Sequence, residues 1–70
     1  MKLLVNGEIK NLEIESNAAT LEKVISQLGH NPRLVVVEFN GAILSPAHWS
    51  QQQVEEEDKI EIVTIVGGGS

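Results

Sequence analysis

The chain has seventy residues, ten of them acidic and five basic, for a net charge of −5. That length fits one domain burying only about 60% of its unfolded surface, which leaves no room for both a core and a deep catalytic cleft. The charge opposes nucleic-acid phosphates and anionic membrane surfaces, and the complete lack of cysteine excludes a disulfide framework, a thiol nucleophile and any Cys-ligated metal.

Met1 to Val5 is a short apolar stretch that stops at Asn6-Gly7, and a strand-like segment from Glu8 to Ile14 follows, with Ile9, Leu12 and Ile14 among charges. Asn-Gly between two such runs predicts a hairpin, because both central residues of a type I′ turn need positive φ. Leu21, Val24, Ile25 and Leu28 then mark one face of an amphipathic helix of two to three turns between Thr20 and Gly29. Thr20 is placed to cap its start, Glu22 lies in the first turn, and Gly29 suits the left-handed residue that ends it.

Leu34 to Phe39 is rich in β-branched residues and stops at a second turn dipeptide, Asn40-Gly41, so a central strand and a short strand through Ile43-Leu44 are expected. Ser45-Pro46 reads as a cap and first residue of one helical or 3₁₀ turn reaching Trp49. After an acidic approach from Val54 to Asp58, Lys59 to Val66 forms the last strand and runs into Gly67-Gly68-Gly69-Ser70. The order β, β, α, β, short β, short helix, β suits one helix covering one face of a single sheet. With the last strand parallel to the first at the sheet centre, this is the β-grasp: an α+β, ubiquitin-like domain over residues 1–66, with a mixed sheet of four to five strands and a tail over 67–70.

Three glycines past the final apolar run form a tail that cannot pack. Gly-Gly adds no width and can thread a narrow channel, and four residues span at most about 13 Å. The alternative is an inert terminus. On strict alternation the last strand and its neighbour leave Val36, Val63 and Ile65 on the uncovered side of the sheet, an apolar patch beside the tail that is a candidate partner-docking surface.

The strand Val35-Val36-Val37-Glu38-Phe39-Asn40-Gly41, the Trp49 turn, and Asp58-Lys59-Ile60-Glu61-Ile62-Val63 leading to the glycines together resemble the ubiquitin-like sulfur carriers of thiamine biosynthesis, the ThiS family. The resemblance covers essentially the whole chain. It implies a substrate protein with no catalytic residue, cofactor or metal of its own. In that family an E1-like enzyme adenylates the terminal glycine carboxylate, a sulfur transferase supplies sulfur to make a thiocarboxylate, and thiazole synthase consumes it. By the same resemblance Gly69, after loss of Ser70, with Gly68 before it, is the carrier terminus, and Gly67 belongs to the threading segment.

Three positions depart from the family's pattern. Ser70 follows the glycines, so it is either removed before activation or an added residue. Ser45-Pro46-Ala47-His48 lacks the arginine that often precedes the Trp. Glu57-Asp58 replaces a common Gly-Asp, so either Glu57 accepts a backbone conformation suited to glycine or the turn differs. Related carriers for molybdopterin or other thiolation pathways, and a β-grasp module that binds partners without being activated, are the competing readings.

The other candidates have ordinary explanations. Lys2, Lys10, Lys23, Arg33 and Lys59 are scattered, and one Trp and one Phe make no stacking platform, so no nucleic-acid partner is expected. The longest apolar run, Leu34 to Val37, falls far short of the ~18 residues of a membrane span; a soluble, cytoplasmic protein without membrane contact is expected. His30 is placed to interact with the helix C-terminus, His48 reads as a surface residue, and Trp49 as a lid on a minor core. Glu55-Glu56-Glu57-Asp58 reads as a solvated loop.

Overall fold

The computed structural model describes residues 1–65. Its strands are β1 (Lys2–Val5), β2 (Glu8–Asn11), β3 (Val35–Phe39), β4 (Ala42–Leu44) and β5 (Lys59–Thr64), with one helix, α1 (Leu21–Gln27). They form one five-stranded sheet in the order β2-β1-β5-β3-β4. β5 is parallel to β1 and antiparallel to β3, so the last strand to be made occupies the centre, as the sequence predicts.

Both hairpins turn on Asn-Gly with positive φ at each central residue: 52° and 81° at Asn6 and Gly7, 49° and 89° at Asn40 and Gly41. This backbone twist matches that of the strands it joins. The Thr20 side chain accepts a hydrogen bond from the Lys23 amide, and Gly29, at φ 82°, ends the helix. Leu21, Val24 and Ile25 of α1 are buried with Leu3 and Val5 of β1, Val35 and Val37 of β3, and Ile60 and Ile62 of β5. Full burial of each aliphatic side chain contributes about 1.5–3 kcal/mol, and this single cluster holds helix to sheet.

Trp49 is larger than its expected role as a lid. It is 1% exposed and lies in the main core, its indole N–H donating to the Leu44 carbonyl at 3.0 Å. The segment after it stitches the start of α1 to the rest of the domain: Glu22 N–H donates to the Trp49 carbonyl, Leu21 N–H to Gln52 and Val54 N–H to Ala19. Val54, which the sequence places only at the start of an acidic approach, is fully buried with Ala19.

Several boundaries move. β2 ends at Asn11 instead of Ile14, because β1 supplies no partner beyond Lys2, apart from two bonds between Met1 and Leu12: Leu12 N–H donates to the Met1 carbonyl and the Met1 ammonium to the Leu12 carbonyl. Leu12 and Ile14 instead pack, half-buried, against the core. Leu34 closes a 3₁₀ turn (Pro32–Leu34) capped by the Asn31 side chain, and β3 starts one residue later. The turn before Trp49 is 3₁₀ over Pro46–His48, but the Ser45 side chain makes no capping bond; its carbonyl accepts from the His48 amide. His30 meets the end of α1 through its backbone, N–H to the Ile25 carbonyl at 3.2 Å.

Candidate functional site

The central strand and the face beside it form the candidate site. Five residue pairs, from Phe39–Ile60 to Val35–Thr64, join β5 to β3, and one further bond, Ile65 N–H to the Leu34 carbonyl at 2.6 Å, carries the pairing past the strand's end. The chain is thus held up to Ile65, the last described residue. Gly67, Gly68, Gly69 and Ser70, the expected carrier tail, lie outside the described residues.

On its other edge β5 has little strand to pair with, because β1 aligns only Leu4 with Lys59 and Val5 with Ile60. Asn6 extends the ladder with its side chain. Its Oδ1 accepts from the Ile62 amide at 2.7 Å and its Nδ2 donates to the Ile62 carbonyl at 3.2 Å. A carboxamide has the donor and acceptor of a peptide group, so it substitutes for the next residue of a strand. Asn40 does similar work at the start of β5, accepting from the Lys59 amide at 2.9 Å and donating to Asp58 Oδ1 at 3.3 Å. Turn chemistry alone accounts for Asn at both places in the sequence, so these bonds to a strand distant in the chain had no separate signal.

The approach to β5 is a turn over Glu55 to Asp58. Asp58 Oδ2 accepts from the Glu55 amide at 2.8 Å, and the Glu57 amide donates to the Lys2 carbonyl at 2.7 Å. Glu57 sits at φ 68°, the conformation suited to glycine that the departure from Gly-Asp left open. Glu56 accepts the Lys2 amide with both carboxylate oxygens, so this acidic run is partly structural. Among the described residues no group of three or more His, Cys, Asp and Glu side chains is arranged to hold a metal, and no helix is long and apolar enough to cross a membrane.

The sheet face away from α1 carries Val36, Val63 and Ile65, exposed by 37%, 61% and 49%. Val36 and Val63 stand directly opposite each other on β3 and β5. One row nearer the start of β5, Glu38 opposes Glu61, and Ile43 of β4 opposes Glu38 from the other side. This face is open, and two shallow recesses among the described residues, one beside Glu13 and Lys23 and one beside His48 and Gln51, are not part of it.

The family model for ThiS matches residues 3–69, nearly the full length. The chain belongs to the ThiS family. The ThiS match begins within β1, at Leu3, takes in the other four strands and ends at Gly69. The fold agrees with the crystal structure of the thiamine biosynthesis protein ThiS from Geobacter metallireducens, at TM-score 0.81 and 27% identity over 99% of this chain and 100% of that one. The five-stranded sheet with one helix is therefore the β-grasp of ThiS. Among curated proteins the chain is 41% identical over 70 residues to a thiazole synthase from Paramagnetospirillum magneticum and 39% identical over 69 residues to one from Magnetococcus marinus. It covers all or nearly all of itself but only 21% and 20% of those proteins, about a fifth of their length. It is also 30% identical over 69 residues to the uncharacterized protein ycf40 of Porphyra purpurea, covering 93% of it.

Proposed function

We propose that this ThiS-family protein is a sulfur carrier of thiamine biosynthesis and acts as a substrate, without catalytic side chains. The observation that carries the reading is the central position of β5, paired up to Ile65 and continuing in sequence into Gly67-Gly68-Gly69, the point where the family match ends. A strand held on both edges as far as Ile62 and by the β3 side up to Ile65 gives the tail a fixed origin, and glycines let it enter a confined site.

The chemistry needs an activating enzyme. A carboxylate at neutral pH is a poor electrophile; an E1-like enzyme transfers AMP from ATP to the terminal carboxylate and releases pyrophosphate. The terminal sulfur of a transferase persulfide then displaces AMP to form an acyl disulfide, and a thiol reductant cleaves its S–S bond, becoming a disulfide and leaving the thiocarboxylate. Thiazole synthase is the consumer, a role supported by the resemblance of this chain to about a fifth of proteins named thiazole synthase. Gly69 is the acceptor after removal of Ser70, supported by the match that stops at Gly69, with Gly67 and Gly68 as the threading segment. Val36, Val63 and Ile65 dock the activating enzyme.

Intact-mass spectrometry after incubation with that enzyme, ATP and a sulfur donor tests this. Chains ending at Gly69 and at Ser70 are tested side by side, because the assay holds no peptidase to remove Ser70; the expected product is the Gly69-ended chain with one oxygen exchanged for sulfur. A sulfur-bearing chain that still ends in Ser70 refutes the processing step, and failure of both chain lengths to gain sulfur refutes the carrier role.

A further inference from the structure

The docking face contains a feature that the fold does not use. Glu38 on β3 and Glu61 on β5 are directly opposite residues. The bonds from Asn40 N–H to Lys59 and from Ile65 N–H to Leu34 set the alternation that makes Glu38 and Glu61 a hydrogen-bonded pair, with α-carbons about 5.5 Å apart. Their carboxylates leave the same side of the sheet, and like charges placed this way destabilise a strand pair. The salt bridges among the described residues engage Glu8, Glu56 and Glu57 and leave both carboxylates free. Lys59, next along that face of β5, is not within ion-pair distance of either.

Apolar side chains flank the pair. Val36 and Val63 form the adjacent row, and Ile43, 70% exposed, sits across from Glu38. Two acidic groups bordered by aliphatic surface match a cationic side chain bordered by apolar ones, and a guanidinium, planar and weakly hydrated, can bridge two carboxylates. A second copy of this chain does not fit, because it would bring four carboxylates together on a protein already at −5.

We propose that Glu38 and Glu61 receive an arginine of the protein partner that docks on Val36 and Val63, and that this charge match selects the partner and speeds encounter. The inference rests on the docking proposed above and adds the chemistry of the occupant. Charge complementarity of this kind gives specificity and a salt-dependent association rate.

The test is calorimetric titration at low and high salt, with the E1-like adenylating enzyme of the same genome as probe. Glu38→Gln/Glu61→Gln is expected to bind about tenfold more weakly at low salt and to lose most of the salt dependence. Its melting temperature should equal or exceed that of the parent, because the substitution removes a repulsion, so misfolding cannot mimic the result. Unchanged affinity and salt dependence overturn the proposal, as does self-association of the parent through this face in sedimentation velocity. Val63→Asp separates the two levels. If it weakens binding while the glutamine pair does not, only the acidic site falls. If Val63→Asp binds like the parent, or the parent does not bind, the docking reading falls with it.

Discussion

Asn6 and Ile62 are 56 residues apart in sequence and joined by two hydrogen bonds, at 2.7 and 3.2 Å. One hairpin-turn side chain thus acts as a missing strand residue for the middle of β5, where β1 has already turned away. The same residue supplies the positive φ of its own turn, so its conformational and hydrogen-bonding roles can be separated by substitution.

Asn6→Gly keeps the turn and removes both bonds. It should cost about 1–2 kcal/mol, read as a lower urea midpoint with an unchanged m-value. Asn6→Ala, which also resists φ 52°, should cost more. Equal stability of Asn6→Gly and parent would show that the clamp contributes nothing.

Glu57 is held at φ 68° with its amide bonded to the Lys2 carbonyl. Left-handed backbone costs a residue with a Cβ about 1–2 kcal/mol, against about 0.5–1 kcal/mol of extra entropy for glycine. The Lys2–Glu57 pair, at 4.0 Å with both side chains exposed, adds little. Glu57→Gly should therefore raise the melting temperature by about 2–6 °C; a fall would mean that the glutamate makes a favourable contact in the folded state.

Trp49→Phe removes the bond to the Leu44 carbonyl and leaves space in the core. A loss of about 2–3 kcal/mol is expected by circular dichroism in denaturant. A loss below 1 kcal/mol would return Trp49 to the status of a lid.

Removal of Gly68 to Ser70 and the Val63→Asp substitution both act at or beyond the exposed end of β5. The truncated chain should melt within about 2 °C of the parent, while Val63→Asp, which loses the pair with Val36 and adds a charge beside Glu61, should melt about 4–8 °C lower and still fold, since it does not touch the buried cluster. The truncated chain should gain no sulfur in the activation assay, and Val63→Asp should slow that gain at least about tenfold. A truncated chain that still binds and functions would favour a non-covalent interaction module.

Local rules in the sequence were enough to determine the elements and much of their arrangement. Asn-Gly at two places demanded type I′ hairpins, the 3.6-residue spacing of Leu21, Val24 and Ile25 defined one buried helix face, and strand alternation placed Val36, Val63 and Ile65 on the open side. These depend on a residue and its near neighbours, so they are legible without the fold. What only the tertiary structure decided depends on contacts distant in sequence. Asn6 and Asn40 become clamps only because β5 enters between β1 and β3. Val54 and Ala19 become core only because the segment after Trp49 crosses the start of α1. β2 stops early because β1 runs out, and Glu38 and Glu61 face each other only in the register that β5 adopts. Periodicity within one segment carries no information about the register between two, and it is this register that turned a last apolar run into a central strand with an open apolar face.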